Sequence, residues 1–275
     1  MPLQVLFTSP EGVPMKIRPC ASSRVALRLL LTAVFGLLSC SLCLSQAAAA
    51  SAHPLTIVLD PGHNPKQPGA LGNQGIYEIV YNDNLTALLA DALRKAGCTV
   101  LLTRRPNQEI GLEQRAQMAN DNHADLFLAI HHDSAQPQYL EKITHTSLTA
   151  YQSTRPISGY SIFVSTLNPR FAESFRFAEL LGQDMLALGR HPSLHHAEKI
   201  QGENRELLNE KLGIYRFDDL IVLKKTTVPA VLLEVGVIVD SKDERYVSSK
   251  DNQRAIVQAI VAAVREYDLS RIEKP

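Results

Sequence analysis

Cysteine is scarce in this chain, with four in 275 residues. Three of them, Cys20, Cys40 and Cys43, fall in an apolar N-terminal stretch, so the sequence beyond it carries Cys98 alone and cannot form an internal disulfide. Cys98 opens a predicted strand and reads as a small core residue rather than a nucleophile, which leaves a Cys/His catalytic site without support. An excess of one charge is also missing: 28 basic and 28 acidic residues give a formal net charge of zero. That balance removes any global electrostatic argument for nucleic acid or an anionic membrane as partner. A polymer substrate would have to be held by local contacts. The His-Glu-x-x-His pattern of one large zinc-hydrolase group does not occur, and no internal repeat is visible. What remains is ordinary globular material, 45% apolar, in a length that permits one large domain or two small ones.

The N-terminus stands apart. From Met15 the sequence "MKIRPCASSRVALRLLLTAVFGLLSCSLCLSQAAAASA" runs from basic to apolar to small residues, the layout of a secretory signal peptide. The division is therefore residues 1–50 as signal, with Met15 as an alternative start, and 51–275 as the mature domain. Retention of residues 29–44 as a short anchor is the alternative, as is lipidation at Cys40 in "LLSC". The alanine-rich ending favours removal, so no stable membrane anchor is expected and the protein is placed outside the cytoplasm.

Beyond residue 55, strands and helices alternate. "TIVLD" is a continuous apolar run stopped by Pro61 and Gly62, as in a buried strand. A helix is predicted over 78–96, ended by Gly97. "CTVLLTR" and "DLFLAI" read as strands around a helix over 112–122, and "GYSIFVS" as a fourth strand before a helix over 171–188. "LIVL" and "VPAVLLEV" complete the strands, and an amphipathic helix over 252–267 closes the chain. Two polar segments interrupt this order. Residues 133–156 are long enough for a lid or binding insertion, and 189–219 contains room for a short helix. The order implies a single α/β domain with a mixed, largely parallel sheet flanked by helices.

Four residues stand at strand mouths or a helix start: His63 in "IVLDPGHN", Glu78 in "GIYEIVYNDNL", His131 in "LFLAIHHDS" and Glu234 in "PAVLLEVGV". In open α/β sheets ligands gather at the carboxyl ends of strands, where three of the four fall. Two imidazoles and a carboxylate are a common ligand set for catalytic zinc, and a further glutamate could act as base. Each has a plainer explanation. His63 follows a turn, Glu78 is an acid in a first helical turn, and His132 competes with His131, although successive strand side chains point to opposite faces. Asp133 could orient either ring. Glu234 resists such explanation, because it interrupts an apolar run where an isolated carboxylate is costly.

These motifs, taken in order, resemble the zinc-dependent N-acetylmuramoyl-L-alanine amidases of the Amidase_3 type. "IVLDPGHN", the helix-opening glutamate, Thr103–Arg104, "L-x-x-R-x-x-x-A-N" at 112–120, "ADLFLAIH" and "VPAVLLEVG" carry the likeness, which spans about residues 56–267. The resemblance implies one zinc ion held by His63, Glu78 and His131, with Glu234 as the catalytic glutamate. It implies hydrolysis of the amide between N-acetylmuramic acid and L-alanine in peptidoglycan, most simply in a periplasm, with a protein activator as a further possible partner. Two departures concern the substrate side: His132 replaces a small residue, and Val237 replaces an aromatic one after Gly236. Arg104, Arg115 and Arg205 are candidates for gripping substrate carboxylates, with a structural ion pair as the alternative for Arg115.

Two other readings compete. In "HHAE", His195 and Glu198 have the His-x-x-Glu spacing of zinc carboxypeptidases, but no clear strand precedes them and His191, His195 and His196 are expected on a surface. A noncatalytic peptidoglycan-binding protein would have no use for Glu234.

Overall fold

The structure, a computed structural model, describes residues 54–272. The expected signal segment, with Cys20, Cys40 and Cys43, lies outside the described residues. The elements run β1 (Thr56–Pro61), α1 (Glu78–Lys95), β2 (Thr99–Leu102), α2 (Leu112–Asp121), β3 (Leu126–Asp133), β4 (Leu140–His145), β5 (Leu148–Ser153), β6 (Ser161–Val164), α3 (Phe171–Ala187), β7 (Leu207–Asn209), β8 (Ile214–Arg216), α4 (Ile221–Lys224), β9 (Ala230–Val237), α5 (Ser241–Ser248) and α6 (Lys250–Ile272).

Seven strands form one sheet in the order β2-β1-β3-β9-β6-β8-β7. β2, β1, β3 and β9 are mutually parallel, β6 is antiparallel to β9, β8 is parallel to β6, and β7 is antiparallel to β8. The sheet is therefore mixed and largely parallel, as the sequence pattern implies. β1, β3 and β9 are apolar along their length because helices cover both faces of the sheet. Strand alternation sends Ile57, Leu59, Leu128, Ile130 and Leu233 to one face, with α1, α3 and α6. Val58, Phe127, Ala129 and Leu232 go to the other, against Phe163, Tyr215 and Leu223.

α1 begins at Glu78 and ends in a Schellman closure. Gly97 takes a φ of +95°, its N–H donates to the Arg94 carbonyl, and the Cys98 N–H donates to that of Leu93. Cys98 is a free, partly buried thiol beside the core.

Several expectations need correction. "LIVL" is the short helix α4, not a strand. Both positions beside β9, the strand that follows, are taken by β3 and β6, so the segment cannot pair there. It turns instead, and Asn168 Nδ2 donates to the carbonyls of Leu223, Thr226 and Val228. Residues 133–156, expected only as a polar insertion, contain the antiparallel hairpin of β4 and β5. Residues 189–219 hold a 3₁₀ turn at His195–Ala197 and the strands β7 and β8. The sequence pattern does not predict α5; it is short and polar, with Asp240 Oδ1 accepting from the N–H groups of Lys242 and Asp243 at its start.

Strand order decides where the chemistry sits. β1, β3 and β9 are consecutive neighbours, so their carboxyl ends share one stretch of sheet edge.

Candidate metal centre

His63 lies two residues beyond β1 with a φ of +67°, an unusual conformation for a non-glycine residue. Two buried arginines hold the backbone there. Arg104 Nε donates to the Pro61 and His63 carbonyls at 3.1 and 2.8 Å, and its Nη2 donates to Gly62 at 2.8 Å. Arg115 Nη1 donates to the Pro61 carbonyl at 2.9 Å and its Nη2 to that of His63. The arginines are neutralised by Asp83 at 2.6 Å and Asp60 at 2.7 Å, and Asp60 also accepts from the Thr103 hydroxyl. Arg104 and Arg115 are each about 1% exposed, so they shape the His63 turn and cannot grip a substrate carboxylate. The surrounding network over-determines a strained backbone, as functional sites commonly require.

Glu78, the first residue of α1, reaches over the sheet edge to both histidines. Its Oε2 lies 2.8 Å from His63 Nε2 and its Oε1 3.0 Å from His131 Nδ1. Oε1 also accepts from the His132 N–H and Asn82 Nδ2, and Oε2 from the Ala70 N–H. Burial alone would raise the Glu78 pKa, but the His131 and His63 contacts outweigh it and hold the carboxyl far below the usual range. The helix-start position is thus a device for aiming this side chain. Two glycines leave room for it. A Cβ on Gly62 would lie 2.3 Å from the His131 ring, and one on Gly69 (φ +81°) would lie 2.4 Å from Glu78 Oε2.

His131 and His132 separate as strand alternation demands. His131 continues the Phe127–Ala129 face. His132 points to the other face, 2% exposed, with Nδ1 2.8 Å from Asn82 Oδ1. Burial pushes its pKa down to about 3, so it is neutral. One ligand atom each from His63, Glu78 and His131 lies within 4.8 Å of the others.

Glu234 is the register partner of His131 across β3 and β9. On its own strand it shares the face of Ala230 and Leu232. Its Oε2 is buried with no hydrogen-bond partner. Burial, and then the charges of Asp133 and Glu78, push its pKa well above the ordinary value. A buried oxygen of this kind costs on the order of 1–3 kcal/mol unless it meets water or a cation. The donor set and this orphaned oxygen together fit a divalent cation with a water beside it.

A second cluster departs from the sequence expectation. His195 and His196 are buried, contrary to the expected surface position; only His191 is exposed. Asp133 serves neither His131 nor His132, and its Oδ2 instead lies 2.9 Å from His196 Nε2 and 3.3 Å from His195 Nε2. Burial opposes protonation of His196, but Asp133 and Glu203 carry its pKa up to about 9. Arg205 pairs with Glu203 at 2.6 Å and stacks on Phe217. Glu198 pairs with Arg155 instead of facing a shared ion with His195, so the His-x-x-Glu spacing does not build a site. The adjacent "HH" is the available sequence signal; its partner Asp133, 62 residues upstream of His195, is not legible from spacing.

Fold and site together define an α/β enzyme whose sheet edge presents two imidazoles and two carboxylates. Residues 57–266 match the Amidase_3 family, described as N-acetylmuramoyl-L-alanine amidase, and the chain belongs to that family. A Buchnera aphidicola protein provisionally named N-acetylmuramoyl-L-alanine amidase is 26% identical over 226 residues, covering 78% of this chain and 94% of the relative. The catalytic domain of the amidase CwlV from Bacillus (Paenibacillus) polymyxa var. colistinus is 25% identical with a TM-score of 0.58, covering 78% of this chain and 97% of that one. The Clostridioides difficile amidase CwlD, solved in complex with the lipoprotein GerS, has the same fold, with 20% identity, a TM-score of 0.58 and coverage of 79% and 99%. The chain is accordingly an amidase of peptidoglycan.

Proposed function

We propose that His63, Glu78 and His131 hold one zinc ion and that Glu234 is the proton-transfer group for cleavage of the amide between N-acetylmuramic acid and L-alanine. Zinc bound there supplies Lewis acidity to a water and to the scissile carbonyl. Glu78 keeps both imidazoles aimed at one point, and the clamped turn at 61–63 fixes His63. Glu234 accepts the proton of the attacking water and delivers it to the leaving alanine nitrogen. The observation that carries this reading is the Glu234 oxygen left without a partner beside His131. Its raised affinity for protons suits a group that must hold a proton between two steps.

The chain acts, in this proposal, outside the cytoplasm after removal of residues 1–50, in a periplasm where wall and enzyme are close. No helix among the described residues is long and apolar enough to cross a membrane. A partner protein that controls access is part of the proposal, motivated by the CwlD–GerS complex and by the β4–β5 hairpin after Asp133.

The test is incubation of the purified protein with peptidoglycan and mass spectrometry of the products. Free stem peptides beginning at L-alanine, lost on chelation and in Glu234→Gln, support the proposal. Shortened peptides still attached to glycan would replace it with a carboxypeptidase, and zinc binding without any product would point to a binding protein.

A further inference from the structure

The Asp133–His195–His196 cluster is built in two layers. In the inner layer, Asp133 Oδ2 faces the Nε2 atoms of His196 and His195 at 2.9 and 3.3 Å, and the three ligand atoms lie within 4.8 Å of one another. In the outer layer, the far nitrogen of each ring is held: Ser193 Oγ lies 2.8 Å from His195 Nδ1, and Glu203 Oε2 lies 2.9 Å from His196 Nδ1. Glu203 is itself fixed by Gln136 Nε2 and Arg205 Nη1, both at 2.6 Å. Metal-binding histidines ordinarily have such partners on the nitrogen that does not bind, because these set the tautomer and the ring direction.

An imidazolium–carboxylate pair is the competing explanation, and it accounts for His196 alone. His195 is also buried, its ring centroid is 3.9 Å from that of His196, and its Nε2 has no hydrogen-bond partner although Asp133 Oδ2 is near. Two protonated rings at that separation would repel each other. Asp133 Oδ2 already faces His196 at 2.9 Å, and His195 Nε2 at 3.3 Å is left as a buried polar atom without a hydrogen bond. A cation shared by the three residues removes that cost, and two imidazoles with a carboxylate are the donor set that zinc-like ions take.

We infer that Asp133, His195 and His196 form a second site for a zinc-like divalent cation, next to the catalytic centre. β3 supplies a residue to each site, His131 to the first and Asp133 two positions on to the second. Between them the register with β9 shifts, from His131–Glu234 to Asp133–Val237. Between those pairs β9 advances three residues while β3 advances two, so the extra residue lies on β9 and Asp133 stays paired, with Val237; such irregularities are common beside active sites. This site does not depend on zinc at His63, Glu78 and His131.

The experiment is metal counting on the purified full chain, stripped with chelator, reloaded with zinc and freed of excess by gel filtration. Two zinc ions per wild-type chain are expected, with one ion lost in His195→Gln/His196→Gln and one in His63→Ala/His131→Ala. A count unaffected by His195→Gln/His196→Gln overturns the second site. A count unaffected by His63→Ala/His131→Ala overturns the first and leaves the second standing. Should the double variant fail to fold by circular dichroism, Ser193→Ala tests the same point through the outer layer. It is expected to weaken zinc binding at one site about 10–100-fold, and two unchanged affinities overturn the inference.

Discussion

His131 and Glu234 stand side by side as register partners on the parallel strands β3 and β9. That pairing puts a candidate ligand and a candidate base on one sheet face without any loop between them, so rigid elements set their separation. Glu78 approaches from a helix over the other face and closes the group.

The two glutamates are expected to fail differently. Glu78→Gln removes the charge that holds both imidazoles, so zinc and activity are lost together. Glu234→Gln is expected to keep zinc at the first site while hydrolysis falls about 10²–10⁴-fold. Metal analysis beside product release from peptidoglycan separates the two, and loss of first-site zinc in Glu234→Gln would contradict the assigned roles.

Arg115→Met leaves the buried Asp60 without its cationic partner and removes one of the two arginine donors to each of the Pro61 and His63 carbonyls, Arg104 remaining as the other. Breaking one side of a buried ion pair costs about 3–5 kcal/mol, read from denaturant unfolding. Zinc affinity at the first site should fall as well, because the left-handed His63 turn loses two donors. A variant with wild-type stability would show that Arg104 alone holds the turn.

Gly69→Ala tests the fit around Glu78. The position has φ +81°, and the new Cβ would meet Glu78 and the His63 ring within 2.7 Å. The backbone strain alone is about 1–2 kcal/mol, and displacement of Glu78 should lower zinc affinity with the sheet intact. Equilibrium dialysis against a zinc chelator of known affinity, with circular dichroism as control, checks it; unchanged affinity would mean that the turn can relax.

Glu244 provides a pH test away from the metal centre. It is fully buried, accepts from the Tyr81 hydroxyl at 2.7 Å and the Gln74 N–H at 3.1 Å, and burial raises its pKa above 4.5. A raised pKa in the folded state means stability that is complete below the unfolded value and is lost as pH rises through the folded one. Glu244→Gln keeps an acceptor for Tyr81 without the charge. It should therefore melt above the wild type at pH 8, with the gap closing near pH 4. A constant gap across that range would assign the effect to packing rather than ionisation.

Much of the site is legible in the amino-acid sequence. The apolar run stopped by Pro61–Gly62 marks the end of β1 and that stopped by His131 falls two residues short of the end of β3, and Glu234 stands out because its neighbours leave no cheap place for a carboxylate. The second cluster is not legible there. His195 and His196 sit in a polar stretch without periodicity, and burial of such a stretch depends on what covers it. "LIVL" reads as a strand and folds as a helix for a related reason: four apolar residues fit a strand or a helix turn equally well, and the neighbours decide.

By itself, the sequence determined the alternation of strands and helices, the side-chain types at the strand ends and the family, since these depend on local pattern and on order along the chain. Tertiary structure decided strand order, and with it that β1, β3 and β9 share an edge. It also turned Arg104 and Arg115 inward to carbonyls and brought Asp133 to His195 and His196. The reason is physical: pairing a buried charge or carbonyl depends on groups distant in sequence, and only packing brings them within reach.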